Sequence, residues 1–266
     1  MAVPIYVVDA FTDKPFHGNP AGVCILEREQ PEDWMQSVAA EMKHAETAFL
    51  RRAVDRWQLR WFTPTIEVDL CGHATLAAAH VLYSTGRASK QEKIEFQTKS
   101  GKLSARSEGD LIILDFPSEP INYEASEEES REVAEALGLT TTPKFVGRNR
   151  MDWLVRTFTA DEVRNLNPHI ARVQALGHRG VIVTAEDEEY DFISRFFAPQ
   201  SGVDEDPVTG SAHCCLGPYW AERLGREDLT GYQASPRGGY VRVRLQNDRV
   251  ELIGKAVMIL EGRLLA

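Results

Sequence analysis

Apolar and β-branched residues come early in the chain. "IYVVDA" at residues 5–10 predicts a strand, because such residues pack well on a pleated, half-buried surface. "FTDKPFHGNPAG" follows, with two prolines and two glycines, and reads as a turn-rich loop. A second strand is expected at 23–26. Trp34, Met35, Val38, Ala39 and Met42 then recur at helical spacing, and Pro31 suits a first turn. Strands are predicted at 47–51, 57–62, 93–98, 102–106 and 111–116. A helix over about 72–82 is apolar nearly all round, as a buried helix is.

"FPSEPINYEASEEES" breaks this rhythm with prolines and a run of charge. Ser126 with Glu129 three residues on predicts a capping box, and Gly138 a helix end. A boundary near Pro117–Tyr123 divides the chain into lobes 1–117 and 118–266. The second half predicts strands near Phe145 and Trp153, a polar helix over 160–176 and strands at 181–184 and 192–197. A helix over 210–224 follows, and short strands from Tyr240 close the chain.

One phrase occurs twice. "FTPTIEVDLCGHA" answers "FAPQSGVDEDPVTGSA", each with Phe-x-Pro at a strand end, an acidic loop and x-Gly-x-Ala opening an apolar helix. The echo suggests two α+β lobes with equivalent helix starts.

Composition narrows the function. Of 266 residues, 40 are acidic and 30 basic, a net charge of −10. With no basic excess to release counterions, nucleic acid and anionic membrane surfaces are not expected partners. No apolar run reaches the length of a membrane span, and the opening residues lack the basic segment of a signal peptide. Cys24, Cys71, Cys214 and Cys215 are the only cysteines. Reduced thiols and a cytoplasmic location are the expectation.

Chemistry gathers at the echo. The first turn of a helix carries amide groups without intrahelical partners and a positive dipole end, and glycine lets a ligand approach. Gly72–His73 and Gly210–Ser211 are therefore candidate anion cradles, able to hold a carboxylate without Lys or Arg. Glu46, at a strand start among Ala45, Ala48 and Phe49, is a candidate proton carrier if buried there. Asp206 precedes the second helix and suits an amine or hydroxyl. Asp204 and Glu205 read as solvent-facing. Cys71, His73, His213 and Cys214 show none of the usual zinc spacings, so no metal is expected. The glycine pattern fits neither a P-loop nor a dinucleotide fingerprint.

"HGNPAGV", "ETAF", "RWFTP", "CGHAT" and "DPVTGSAH" stand in order from residue 17 to 213, with "RGG" and "LEG" beyond them. Together they resemble the PhzF-like, phenazine biosynthesis-like isomerases, especially the branch that includes animal proteins. The resemblance implies the diaminopimelate epimerase-like fold, an α+β architecture of two similar lobes. Each lobe is a barrel-like, mostly antiparallel sheet around a central helix, with the active site in the cleft and the last strand, about 256–266, returning to the first lobe. It implies cofactor-independent isomerisation of a small anionic metabolite, with Glu46 as general base and then acid. His73 and Asp206 match the family's other catalytic residues, and Gly72, His73, Gly210 and Ser211 its substrate-binding site. A homodimer is a further expectation.

Two positions depart from the relatives. The phenazine enzymes carry serine where this chain has Ala45. The related epimerases carry cysteine before each glycine, where this chain has Cys71 but Thr209. A thiol-dependent racemase using Cys71 is one rival reading; a binding protein with reduced turnover on the same fold is the other.

Overall fold

The computed structural model describes residues 2–265. The chain separates into two compact units, Met1–Phe116 with Glu251–Ala266, and Pro117–Val250. It passes from one to the other twice.

The first unit holds β1 (Val3–Ala10), β2 (Asn19–Leu26), α1 (Glu32–Met42), β3 (Glu46–Arg52), β4 (Trp57–Phe62), β5 (Glu67–Val68), α2 (Gly72–Ser84), β6 (Ile94–Thr98), β7 (Gly101–Glu108) and β8 (Leu111–Pro117). β1 lies between β2 and the final strand of the chain, antiparallel to both, with Val3 opposite Leu264. β2 runs parallel to β3, Ala21 opposite Glu46, and α1 makes the crossover. Antiparallel pairing then links β3 to β4, β6 to β7 and β7 to β8, while β4 and β6 are parallel.

α2 forms the centre. Its residues from Gly72 to Ala79, and again from Val81 to Tyr83, are buried, and it packs on β1, β2 and β3. The small side chains of Ala77, Ala78 and Ala79 let strands close around it. Burial of this kind is worth about 25 cal/mol per Å² of apolar surface removed from water.

In the second unit lie β9 (Tyr123–Glu124), α3 (Glu127–Leu137), β10 (Phe145–Arg148), β11 (Asp152–Arg156), α4 (Ala160–Arg164), α5 (Ile170–Ala175), β12 (Gly180–Ala185), β13 (Phe192–Phe197), α6 (Gly210–Leu224), β14 (Asp228–Gln233) and β15 (Gly239–Gln246). β16 (Arg249–Gly254) leads back to the first unit and β17 (Ala256–Leu264) pairs with β1. β11 and β12 are parallel, as are β13 and β14; β10–β11, β12–β13 and β14–β15 are antiparallel. α6 is the buried helix here and packs on β14 and β15. Its Trp220 Nε1 donates to Thr184 Oγ1 at 3.0 Å. The molecule is thus an α+β protein in which each unit folds a mixed sheet around one buried helix.

Several local expectations hold. The capping box of Ser126 and Glu129 forms, and Gly138 ends α3 in the left-handed region. Others need correction. The helix expected over 160–176 is two short helices, because Pro168 lacks an amide proton and its ring excludes helical geometry at Asn167. Arg195 Nη1 takes up the carbonyls this break exposes, those of Val163, Arg164 and Leu166. Glu205 does not face solvent: its carboxylate accepts from Arg195 Nε and Nη2 at 2.7 and 2.8 Å. β2 begins at Asn19, inside the stretch that reads as loop, and β14 is a strand the apolar pattern does not predict.

Candidate active site

The start of α2 gathers four polar side chains. β3 opens at Glu46, β2 at Asn19, and the helix at Cys71-Gly72-His73. Gly18 makes the Asn19 corner possible. It has φ of +64°, and a Cβ there would stand 2.1 Å from the Ala10 carbonyl oxygen, so only glycine fits.

His73 Nε2 lies 3.2 Å from Glu46 Oε2, with side chains 4% and 18% exposed. On the other ring nitrogen, Asn19 Nδ2 approaches His73 Nδ1 to 3.1 Å. An amide N–H aimed at Nδ1 makes Nδ1 the acceptor and leaves the ring proton on Nε2, the nitrogen nearer the carboxylate. Burial, with a smaller contribution from His44, pushes the His73 pKa down to about 3. The ring is therefore neutral near pH 7, and the 3.2 Å approach to Glu46 is a close polar contact rather than an ion pair. Cys71 Sγ stands 3.6 Å from His73 Nδ1.

The start of α6 is built differently. Asp206 Oδ2 accepts from Thr209 Oγ1 at 2.5 Å. Buried Gln233, at the end of β14, holds this turn from both sides: its Nε2 donates to the Asp206 carbonyl at 2.7 Å, and its Oε1 accepts from the Thr209 amide at 2.8 Å. Ser211 Oγ accepts from Arg179 Nη1 at 2.9 Å. Arg179 is itself held by Asp152, with Nε to Oδ1 at 2.9 Å and a second bond from Nη2 to Oδ2. The expectation of an anion cradle without Lys or Arg is therefore corrected at this helix. A guanidinium stands beside Ser211, because Asp152 and Gly180 are register partners on parallel strands and Arg179 immediately precedes that pairing.

The two helix starts share one backbone plan. Cys71 and Thr209 are both extended N-caps, and neither side chain caps its helix. Each N-cap carbonyl accepts a side-chain bond from the helix's fourth residue: Thr75 Oγ1 at 2.5 Å in α2, His213 Nδ1 at 2.8 Å in α6. Uncapped amides at a glycine-opened, buried helix start are the donors an anion needs.

Structure thus brings Glu46, Gly72 and His73 together in the first unit, and Asp206, Gly210 and Ser211 in the second. Cys71 joins the first group. His213 and Cys214 lie inside α6 and are buried there. Sequence reasoning misses Asn19, Arg179 and Gln233. Asn19 stands within "HGNPAGV" and was quotable from sequence; Arg179 and Gln233 carry no local signal.

Each unit thus has a buried, glycine-opened helix start, and the first sets a carboxylate 3.2 Å from a neutral imidazole. The chain belongs to the family described as phenazine biosynthesis-like protein, which residues 8–262 match. A protein of Halalkalibacterium halodurans named an uncharacterized isomerase is 51% identical over 267 residues, covering 100% of this chain and 99% of its own. The mouse phenazine biosynthesis-like domain-containing protein 2 is 42% identical over 289 residues, covering all of both chains. A crystal structure of a PhzF-family phenazine biosynthesis protein of Enterococcus faecalis superposes with a TM-score of 0.94 at 38% identity, over the whole of both chains. Among the described residues, no helix is long and apolar enough to cross a membrane.

Proposed function

We propose that this protein is a cofactor-independent isomerase or epimerase that moves a proton between carbons of a small carboxylate-bearing metabolite. Glu46 takes the proton from an acidified C–H as general base and returns it to another position as general acid. The observation that carries this reading is the 3.2 Å contact between Glu46 Oε2 and His73 Nε2. A neutral imidazole, fixed on its other side by Asn19, orients the carboxylate without neutralising it as a cation would.

Glu46 is partly exposed while its neighbours Thr47, Ala48 and Phe49 are buried, so the carboxylate sits at the edge of the core where a substrate can reach it. The amides of Gly72 and His73 supply an anion cradle beside it. Family resemblance gives Gly210, Ser211 and Asp206 a part in substrate binding as well, and Arg179 adds positive charge next to Ser211. A positioned acid–base group contributes about 10²–10⁴ in rate, and orientation of the bound metabolite supplies much of the rest. Against a two-thiol racemase, the second helix start offers a threonine hydroxyl already donated to Asp206.

The test works with an unidentified substrate. A library of small carboxylic acids is incubated with the protein in heavy water and analysed by mass spectrometry for deuterium at carbon. Incorporation into one chemical class by the wild type, and its loss in Glu46→Gln, supports the reading. Incorporation that survives Glu46→Gln in the folded protein overturns it.

A further inference from the structure

A carboxylate oxygen of Glu46, the sulfur of Cys71 and an imidazole nitrogen of His73 all lie within 4.8 Å of one another. Zinc is held at about 2.3 Å by thiolate, and at about 2.0–2.2 Å by imidazole or carboxylate, so the edges of its ligand tetrahedron measure roughly 3.3–3.6 Å. In this cluster Nε2 to Oε2 is 3.2 Å and Sγ to Nε2 is 4.0 Å. The sulfur stands nearer Nδ1, at 3.6 Å, than Nε2, so the Cys71 side chain must rotate its sulfur past the ring toward the carboxylate to share a cation held at Nε2. We propose that Glu46, Cys71 and His73 form a site for one thiophilic divalent cation, Zn²⁺ above all, with the fourth position open to water or a substrate oxygen.

Ligand chemistry selects the metal. A thiolate and an imidazole beside a single carboxylate disfavour Mg²⁺ and Ca²⁺, which prefer oxygen donors throughout. The imidazole is already neutral, so coordination at Nε2 requires only that its proton move to Nδ1. Asn19 then turns its amide so that the oxygen accepts Nδ1–H. That gives the second hydrogen bond which metal-bound histidines almost always make. Net release is one proton, from the Cys71 thiol, and the resulting thiolate sits at the positive end of α2. Glu46 is the most exposed of the three, so the cation enters on the carboxylate side. Sequence spacing hides this site, because the third ligand comes from a strand start 25 positions before Cys71 rather than from a neighbouring turn.

Binding stands on this geometry alone. Its consequence rests on the proposed role of Glu46: the loaded site holds the carboxylate that carries the proton, so Zn²⁺ stops deuterium incorporation.

Co²⁺ reports the site directly, since it takes zinc geometry and shows a thiolate-to-cobalt charge-transfer band. The full-length protein, reduced and freed of metal by chelation, is titrated with Co²⁺. One equivalent should bind with that band and with the intense visible bands of tetrahedral cobalt, and Zn²⁺ should displace it. Cys71→Ser should abolish the charge-transfer band and weaken binding about tenfold or more, the least expected when a direct ligand is lost. Glu46→Gln should keep the band and weaken binding. A band unchanged in Cys71→Ser places the cobalt on Cys24, Cys214 or Cys215 and overturns the site. So does wild-type protein that binds no cobalt, or binds it without the thiolate band. Loss of deuterium incorporation in Glu46→Gln with no cobalt bound by the wild type leaves the proton carrier standing and the metal site refuted; the reverse pattern refutes only the proton carrier.

Discussion

The starts of α2 and α6 use the same backbone for opposite chemistry. Each opens on a buried glycine after an extended, uncapped N-cap, and each returns a side-chain bond from its fourth residue to the N-cap carbonyl. What differs is what stands at the N-cap and at the second position. Cys71 and His73 surround the first start with a thiol and a neutral imidazole, and Glu46 adds a carboxylate. Thr209 and Ser211 give the second only hydroxyls, one donated to Asp206 and the other occupied by Arg179. One helix start presents titratable groups and the other hydroxyls beside a fixed guanidinium. A backbone motif alone therefore does not fix the chemistry presented at a helix start; the N-cap and second residues do.

Glu46→Gln breaks the first half of this contrast and carries the largest expected effect. The isosteric amide keeps the contact with His73 but cannot take a proton. Deuterium incorporation should fall by about 10²–10⁴, with little change in melting temperature. Equal incorporation by both proteins would move the proton carrier elsewhere.

Arg179→Leu breaks the second half. It strands the Asp152 carboxylate, which is fully buried while Arg179 is 30% exposed. Removing one partner of a buried pair costs about 3–5 kcal/mol, and partial exposure of the guanidinium lowers the expectation to about 2–4 kcal/mol. Urea denaturation reads this directly. A loss below about 0.5 kcal/mol would mean that Asp152 is not held as a charge. Arg179→Lys should recover part of the loss, since a single ammonium cannot reproduce the two-pronged bond.

How much of this was legible in the sequence follows from where the partners lie. The beginnings of α2 and α6 were readable to the residue, because Gly72 and Gly210 stand between an acidic loop and an apolar run. Glu46 was readable as a strand start. Asn19 was hidden by Pro20 and Gly22, which read as turn; β2 tolerates Pro20 because pairing with β3 begins only at Ala21. Arg179 finds Asp152 27 positions away, a pairing created by two parallel strands rather than by any local pattern. The strand Asp228–Gln233 was missed because Gly231 interrupts it. That glycine serves packing, since a Cβ there would stand 2.2 Å from the Phe192 ring.

The fourth residue of each helix separates the two starts again. Thr75 does not titrate, whereas His213 is fully buried and its pKa is pushed down to about 4, chiefly by burial. Its Nδ1–H serves the Thr209 carbonyl, and its Nε2 has no hydrogen-bond partner among the described residues. An unfolded histidine takes up its proton near pH 6.5, while this one resists until about pH 4. Its contribution to stability is therefore complete above pH 6.5 and is lost as pH falls from there toward 4. Linkage puts the loss at about 3 kcal/mol. His213→Gln should flatten the stability profile over that window by a similar amount, measured by denaturation at fixed pH steps. A variant profile as steep as the wild type would assign the acid sensitivity to other groups.

Cys71→Ala carries the smallest expected effect and bears most directly on the contrast between the helix starts. Inversion by thiols requires a base on each face of the stereocentre. The place that matches Cys71 holds Thr209, whose hydroxyl is too weak a base and is already donated to Asp206. The proton transfer proposed for Glu46 needs no sulfur. Its orientation depends on His73 and Asn19, which the substitution leaves in place. Deuterium incorporation should stay within about tenfold of wild type, equivalent to less than about 1.4 kcal/mol in the barrier. The residual loss would reflect the small cavity left beside the His73 ring. Alkylation of Cys71 in the wild type should inhibit more than its removal does, because the adduct crowds the carboxylate whereas alanine clears space. The opposite ranking, with Cys71→Ala inactive and Glu46→Gln active, would make the first helix start a thiol site and transfer the chemistry from the strand to the helix.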